Sequence, residues 1–231
     1  MFSREKLLLG EKFRKLLNSR VIIFGIGGVG GYVAELLVRA GIGCICIVDF
    51  DNVDITNKNR QIIALDSTIG RSKVDVMKER ILDINKECYI QAINDKLTPD
   101  NIDTFHLDEY NYIVDCIDMV TSKTALIKYA HNNNLPIISA MGAGNRYDIP
   151  EFKIIDIFQT SNDGLAKVLR KNLRNAQINH HTVCCAVTKA NATSREIGSI
   201  SYYPAMCGCT ISAYIVNKIL EGNENGNECN R

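Results

Sequence analysis

Several short stretches of this 231-residue chain carry residue types that do chemistry together. Gly25, Gly27, Gly28 and Gly30 lie in G-I-G-G-V-G, directly after the apolar run Val21–Phe24 and before a helical stretch. Glycines there let the backbone turn tightly and approach a phosphate, while the helix N-terminus offers free N–H groups and partial positive charge. About twenty residues on, Asp49 and Asp51 close a second apolar run, where a carboxylate accepts ribose hydroxyls. A tight strand-to-helix turn with capping carboxylates would use the same residues, so the charged groups further along the chain decide between the two. Arg60 lies in a long polar connection over 51–70, Lys73 opens the next helix, and Asp118 ends C-I-D after a fourth strand. Two cations and a carboxylate beside a glycine loop suit a triphosphate with Mg²⁺: the cations neutralise phosphate oxygens and the carboxylate holds the metal. A nicotinamide dinucleotide needs no such equipment.

The elements that must position these groups can be read from the apolar periodicity. An amphipathic helix over Arg4–Leu17 precedes the strand Val21–Phe24. Strands are then expected at Cys44–Val48, Tyr89–Ile93, Tyr112–Cys116 and Pro136–Ala140, short apolar runs of the kind buried in a parallel sheet. Helices alternate with them: one ending near Gly41, one over Ser72–Asn85, a brief one started by Thr98 and Pro99, and one over Ser122–Asn132. This alternation predicts an α/β fold with a doubly wound, mainly parallel sheet. After Gly144 more polar strands at Phe152–Phe158 and Gly198–Tyr203, a helix over Leu165–Leu173 and a closing helix over Ala205–Leu220 predict a mixed, antiparallel extension. No repeat or linker divides the chain, so a single domain over 1–222 with a flexible tail over 223–231 is expected.

Composition limits the setting. Hydrophobic residues are 46% and charged residues 23% of the chain, as in soluble globular proteins. With 27 Lys+Arg against 26 Asp+Glu, any polyanionic partner must be held by a local patch. The nine cysteines form no Cys-x-x-Cys pair, so a structural zinc site is not expected, and free, mostly buried thiols in a reducing cytoplasm are. Cys184, Cys185, Cys207 and Cys209 are candidates for a reactive thiol by position alone; burial as packing material is the better reading. His180 and His181 are adjacent and point opposite ways on a strand, which disfavours joint metal binding. No leader peptide or membrane span is expected; the longest apolar run, 205–220, is interrupted by Asn217 and Lys218.

The ordered set G-I-G-G-V-G, D-F-D, T-N-K-N-R-Q, G-R-S-K-V and C-I-D resembles the ATP-dependent adenylating enzymes related to ubiquitin-activating enzymes, which have a Rossmann-like core. The resemblance implies that Gly28 packs against the phosphates and Asp49 holds the ribose. It implies that Asn57, Arg60 and Lys73 contact the triphosphate and that Asp118 ligates Mg²⁺. Arg4, in R-E-K-L-L-L-G, matches an arginine that reaches into a partner subunit's site, which implies a homodimer. Beyond Ser139 the chain is similar to the branch that dehydrates threonylcarbamoyladenosine in tRNA, through S-A-M-G-A-G-N-R, F-K-I-I-D-I-F-Q-T-S, L-A-K-V-L-R-K-N-L-R and G-S-I-S-Y-Y-P. Met119 departs from the family's small polar residue, Pro150 is displaced by one, and the stretch Asn179–Arg195 matches poorly. The implied reaction is ATP-dependent cyclisation of the threonylcarbamoyl group on adenosine 37 through an acyl-adenylate.

A tRNA substrate calls for a basic patch. Lys167, Arg170, Lys171 and Arg174 recur at steps of three and four, on one face of the Leu165–Leu173 helix, with Leu165, Val168, Leu169 and Leu173 as its core stripe. An ordinary solvated face would look the same. Two further readings remain open at this point: adenylation of a sulfur-carrier protein's C-terminal carboxylate, and a nicotinamide oxidoreductase. A sulfur-relay protein is a further candidate partner that the sequence does not identify.

Overall fold

The computed structural model describes residues 1–191 and 196–222. The tail expected over 223–231, with Cys229, lies outside the described residues. Seven strands form one sheet: β1 (Arg20–Phe24), β2 (Cys44–Val48), β3 (Tyr89–Ile93), β4 (Tyr112–Asp115), β5 (Ile137–Ala140), β6 (Phe152–Asp156) and β7 (Thr182–Ala186). Their order is β3-β2-β1-β4-β5-β7-β6; every pairing is parallel except β6 with β7. The helices are α1 (Ser3–Leu9), α2 (Phe13–Leu17), α3 (Gly30–Ala40), α4 (Lys73–Ile84), α5 (Val120–Asn132), α6 (Gly164–Asn175) and α7 (Tyr202–Glu221).

The central strands read as unbroken apolar runs because both sheet faces are covered. Along β1, Val21 and Ile23 pack into one core with α2, α3, α4 and α7, while Ile22 and Phe24 pack into the other with α5 and α6. Successive side chains point to opposite faces, so a run apolar at every position is what a doubly covered strand requires.

Four expectations are corrected. The strand expected at Gly198–Tyr203 does not form; Tyr202 and Tyr203 open α7, because Pro204 in a helix's first turn needs no N–H partner. The seventh strand is Thr182–Ala186, inside the stretch that matched poorly. The opening helix is interrupted at Gly10 (φ +55) by a 3₁₀ turn, Gly10–Lys12; Phe13 and Leu16 are buried, whereas Leu7 and Leu8 face outward. Thr98 starts no α-helix: its N–H and hydroxyl donate to Asn101 Oδ1, and a 3₁₀ helix comes after it at Ile102–Phe105.

Candidate active site

The chain leaves β1 for β2 and β3 on one side, then returns to lay β4 on the other, so a crevice opens at the carboxyl ends of β1 and β4. Ligands of open α/β sheets bind at such a switch point. A cleft of about 830 Å³ lies there, lined by the glycine loop, Asp49, Asp51, Asn57, Arg60 and Lys73 on one side and by Asp118 on the other. The sequence separates these groups by up to ninety-three residues, Gly25 to Asp118; the topology brings them to one edge.

Each part of the loop has a distinct job. Gly25 takes φ +89, and a Cβ there would meet Cys116 O at 2.7 Å, so the turns after β1 and β4 touch through glycine backbone. Gly27 and Gly28 line the cleft. Gly30, expected to bind the ligand, is not among the lining residues and has a packing role: a Cβ would lie 1.8 Å from Gly25 O, so α3 sits directly on the loop. No side chain caps α3; its Gly31 N–H donates to Gly27 O at 3.1 Å, and the partial positive charge of the helix N-terminus faces the loop.

Asp49 ties the loop down. Its Oδ2 accepts the Ile26 N–H at 2.6 Å and its Oδ1 accepts the Asp51 N–H at 2.9 Å. Lys73 is buried and its Nζ lies 2.8 Å from Asp51 Oδ2. Asn57 closes a capping box with Asp54: its Oδ1 accepts the Asp54 N–H at 3.1 Å, which leaves the amide nitrogen as the donor for a ligand. Arg60, half-buried, donates to Thr56 O at 3.0 Å and to Asn59 Oδ1 at 2.9 Å. Asp118 is exposed on the cleft wall and makes no hydrogen bond or ion pair with the described residues. Among the described residues no three His, Cys, Asp or Glu side chains gather as a metal cage. The oxygen donor of the Asp118 carboxylate, open to the cleft, is the ligand type a hard cation takes.

Sequence reasoning missed other lining groups. Gln61 is buried and its Oε1 has no partner among the described residues. Arg146 is buried; its guanidinium donates to the carbonyls of Gly142 (3.1 Å), Gly144 (3.2 Å), Asn162 (3.1 Å) and Thr188 (3.3 Å), stitching the walls of the second half of the cleft. Asp163 caps α6 through Ala166 N–H at 2.8 Å and takes the Gly142 N–H at 2.9 Å. The signal was present in G-A-G-N-R after a strand, but nothing local says that an arginine's donors point to backbone carbonyls.

Outside the cleft, Lys167, Lys171 and Arg174 are exposed on α6. Arg170 is instead drawn in to Thr160, donating to its carbonyl at 3.0 Å and to its hydroxyl, and Val168 faces solvent, not the core. Arg174 stacks over Phe158 at 5.4 Å. Arg4 is exposed on α1 and does not line the cleft of its own chain. Burial pushes the Cys46 and Cys185 thiols up to about 11 and about 12, the opposite of what a nucleophilic thiolate needs. In the segment leading into β7, His180 sits outside beside Asp156, while His181 is buried.

The model of the ThiF family matches residues 3–230. The chain belongs to the ThiF family. Its sequence is 45% identical over 174 residues to the tRNA threonylcarbamoyladenosine dehydratase of Bacillus subtilis, covering 75% of this chain and 68% of that protein. The enzyme of that name from Escherichia coli is 42% identical over 168 residues, 72% and 63% respectively; the matched segment thus spans about two thirds of these relatives' length. The fold of this ThiF-family chain superposes on the crystal structure of the Escherichia coli tRNA N6-threonylcarbamoyladenosine dehydratase in complex with AMP. The TM-score is 0.90 at 33% identity, over 95% of this chain and 93% of that one. The same dehydratase in complex with ATP gives 0.89 at 33% identity.

Proposed function

We propose that this protein is an ATP-dependent adenylating enzyme that cyclises N6-threonylcarbamoyladenosine in tRNA. The observation that carries the reading is the convergence of the glycine loop, Asn57, Arg60, Lys73 and Asp118 on one cleft, in a chain 45% identical to a dehydratase of that substrate. Solved relatives bound to ATP and AMP support the nucleotide.

The threonyl carboxylate attacks the α-phosphorus of ATP and pyrophosphate leaves. An atom of the carbamoyl group then attacks the acyl carbon, the bond to AMP breaks, a proton is lost, and the ring closes. No enzymic nucleophile is needed, because the substrate supplies its own and proximity does the rest. This agrees with a cleft that offers cations, amide donors and one unpartnered carboxylate. The loop backbone at Gly27 and Gly28 and the N-terminal end of α3 receive the phosphates; Asn57, Arg60 and Lys73 stabilise the charge that moves onto the departing pyrophosphate. Lys73 must exchange Asp51 for phosphate as ATP enters. Asp118 would hold Mg²⁺, which when bound would supply positive charge to offset that of the phosphates.

The exposed face of α6 with Lys167, Lys171 and Arg174 supports tRNA phosphate binding, with Arg170 holding the helix in place. Exposed Leu7, Leu8, Phe50, Ile55, Leu65 and Ile69, and an Arg4 remote from its own cleft, support a homodimer in which Arg4 completes the partner's site. Incubation with ATP and threonylcarbamoyladenosine-bearing tRNA, followed by nucleoside mass spectrometry, tests the reaction. Loss of one water from the nucleoside with release of AMP is expected. Carrier-dependent ATP–pyrophosphate exchange without that loss would replace the substrate, and preference for NADH over ATP would replace the chemistry.

A further inference from the structure

Beneath the cleft, polar side chains from β4, α5, β5 and the segment leading into β7 form one continuous chain through the interior. Asp115 ends β4 and Lys123 stands in the first turns of α5; both are fully buried, with Nζ 2.8 Å from Asp115 Oδ2. Lys123 Nζ also donates to Asp115 O at 3.3 Å, so one cation holds both the side chain and the strand end. Asp115 Oδ2 accepts the hydroxyl of Ser139 (β5) at 2.6 Å. Ser139 Oγ lies 2.8 Å from Nε2 of His181, the residue before β7, and His181 Nδ1 lies 3.2 Å from His131 Nε2 (α5). Ser139 and His181 are also buried.

Counting protons gives the chain a direction. Ser139 has one hydroxyl proton, and the carboxylate takes it. His181 Nε2 must then donate to Ser139 Oγ, its Nδ1 is bare, and His131 Nε2 donates to that Nδ1. Every member has one role and both rings are neutral. Burial holds His181 well below its ordinary value, and the neighbouring His131, Lys123 and His180 push the same way.

A buried ion pair gains little stability over apolar residues of the same size, so its presence asks for another reason. The far end of the chain supplies one. Asp115 Oδ1 accepts the Ile117 N–H at 3.1 Å, bending the backbone directly before Asp118. The same turn places Cys116 O 2.7 Å from where a Cβ on Gly25 would stand.

We infer that Lys123, Ser139 and His181 are positioning residues for the 116–118 turn: they lock the Asp115 carboxylate, which sets where Asp118 stands in the cleft. The inference rests on the reading of Asp118 as the carboxylate that holds a cation beside ATP. His131 orients His181 from the outer end.

The test has two arms. Ser139→Ala cuts the chain without adding bulk; AMP formation should fall roughly tenfold to a hundredfold in kcat, with a raised half-saturating Mg²⁺ concentration and little change in KM for ATP. His181→Gln, which can still donate to Ser139, should retain far more activity than His181→Leu. In the metal-free wild type, ¹⁵N NMR should find His181 Nδ1 unprotonated at neutral pH. Unchanged kcat and Mg²⁺ dependence in a folded Ser139→Ala protein would overturn the inference, and so would a protonated Nδ1. Should the wild type release no AMP, the adenylation reading falls instead; the NMR arm still judges the chain's polarity.

Discussion

Lys73 reaches the cleft already engaged, its ammonium against Asp51 and almost out of solvent. Phosphate is the richer acceptor, so the pair marks where a triphosphate docks. Lys73→Met should lower kcat/KM for ATP by about 2–4 kcal/mol of transition-state stabilisation and leave the melting temperature nearly unchanged, since Asp51 is half exposed. Asp118→Ala should cost about a hundredfold or more in AMP release, measured with saturating ATP. An active Asp118→Ala protein would remove the metal assignment. His181 yields a pH prediction. Folding keeps its ring neutral below the ordinary value of 6.5. As pH drops through that value the unfolded chain takes up a proton that the folded chain refuses. His181 thus contributes stability above about pH 6.5, and that stability is lost towards acid. Melting curves from about pH 8 to about pH 5 should fall more steeply for wild type than for His181→Gln.

Among the elements, α6 separates two roles that its sequence blends. Lys167 and Lys171 are exposed one turn apart, whereas Arg170 holds Thr160. Reversing Lys167 and Lys171 to Glu should weaken tRNA binding and reduce the salt slope by about two; Arg170→Ala should lower the melting temperature instead. Gly30→Ala should destabilise by about 1–3 kcal/mol or more, because its methyl would overlap Gly25 O. β1, β2, β4 and β5 were legible because each is an apolar run after a turn signal, buried in the sheet; β3, a half-exposed edge, was legible from its place in the strand–helix alternation. β7 was not: Thr182–Ala186 is equally apolar, but alternation in S-I-S-Y-Y drew the strand to Gly198–Tyr203, and only tertiary packing decides that Tyr203 belongs to a helix. The glycine loop, Lys73 and Asp118 were readable because their residue types name their chemistry. Asp115, Ser139 and His181 were not, since their meaning lies in contacts across twenty-four and forty-two positions of sequence.

At the scale of the whole molecule, near-neutral charge conceals a division of surface. The cations of α6 lie on one helix face, and six exposed apolar side chains, Leu7, Leu8, Phe50, Ile55, Leu65 and Ile69, lie on α1 and the 49–70 connection. A protein that kept both faces open would carry an apolar surface of the kind that marks an interface. Light scattering after gel filtration should give the mass of two chains. Leu8→Glu with Ile55→Glu should shift it to one, with loss of AMP formation if Arg4 acts across the interface. No helix among the described residues is long and apolar enough to cross a membrane.

The strand order carries a consequence for how the chain reaches this shape. β6 is an edge strand whose one partner, β7, comes later in sequence, and β7 must slot between β5 and β6. β1 to β5 can assemble through successive crossovers as they are synthesised, but β6 has nothing to pair with until α6 and β7 have emerged. A nascent chain halted just after Gln177 should therefore protect the amides of β1, β2 and β4 from hydrogen exchange while β6 exchanges freely. Ser139 meets His181 only when β7 arrives, and the cleft is completed later still, when α7 brings Pro204 beside Gly28.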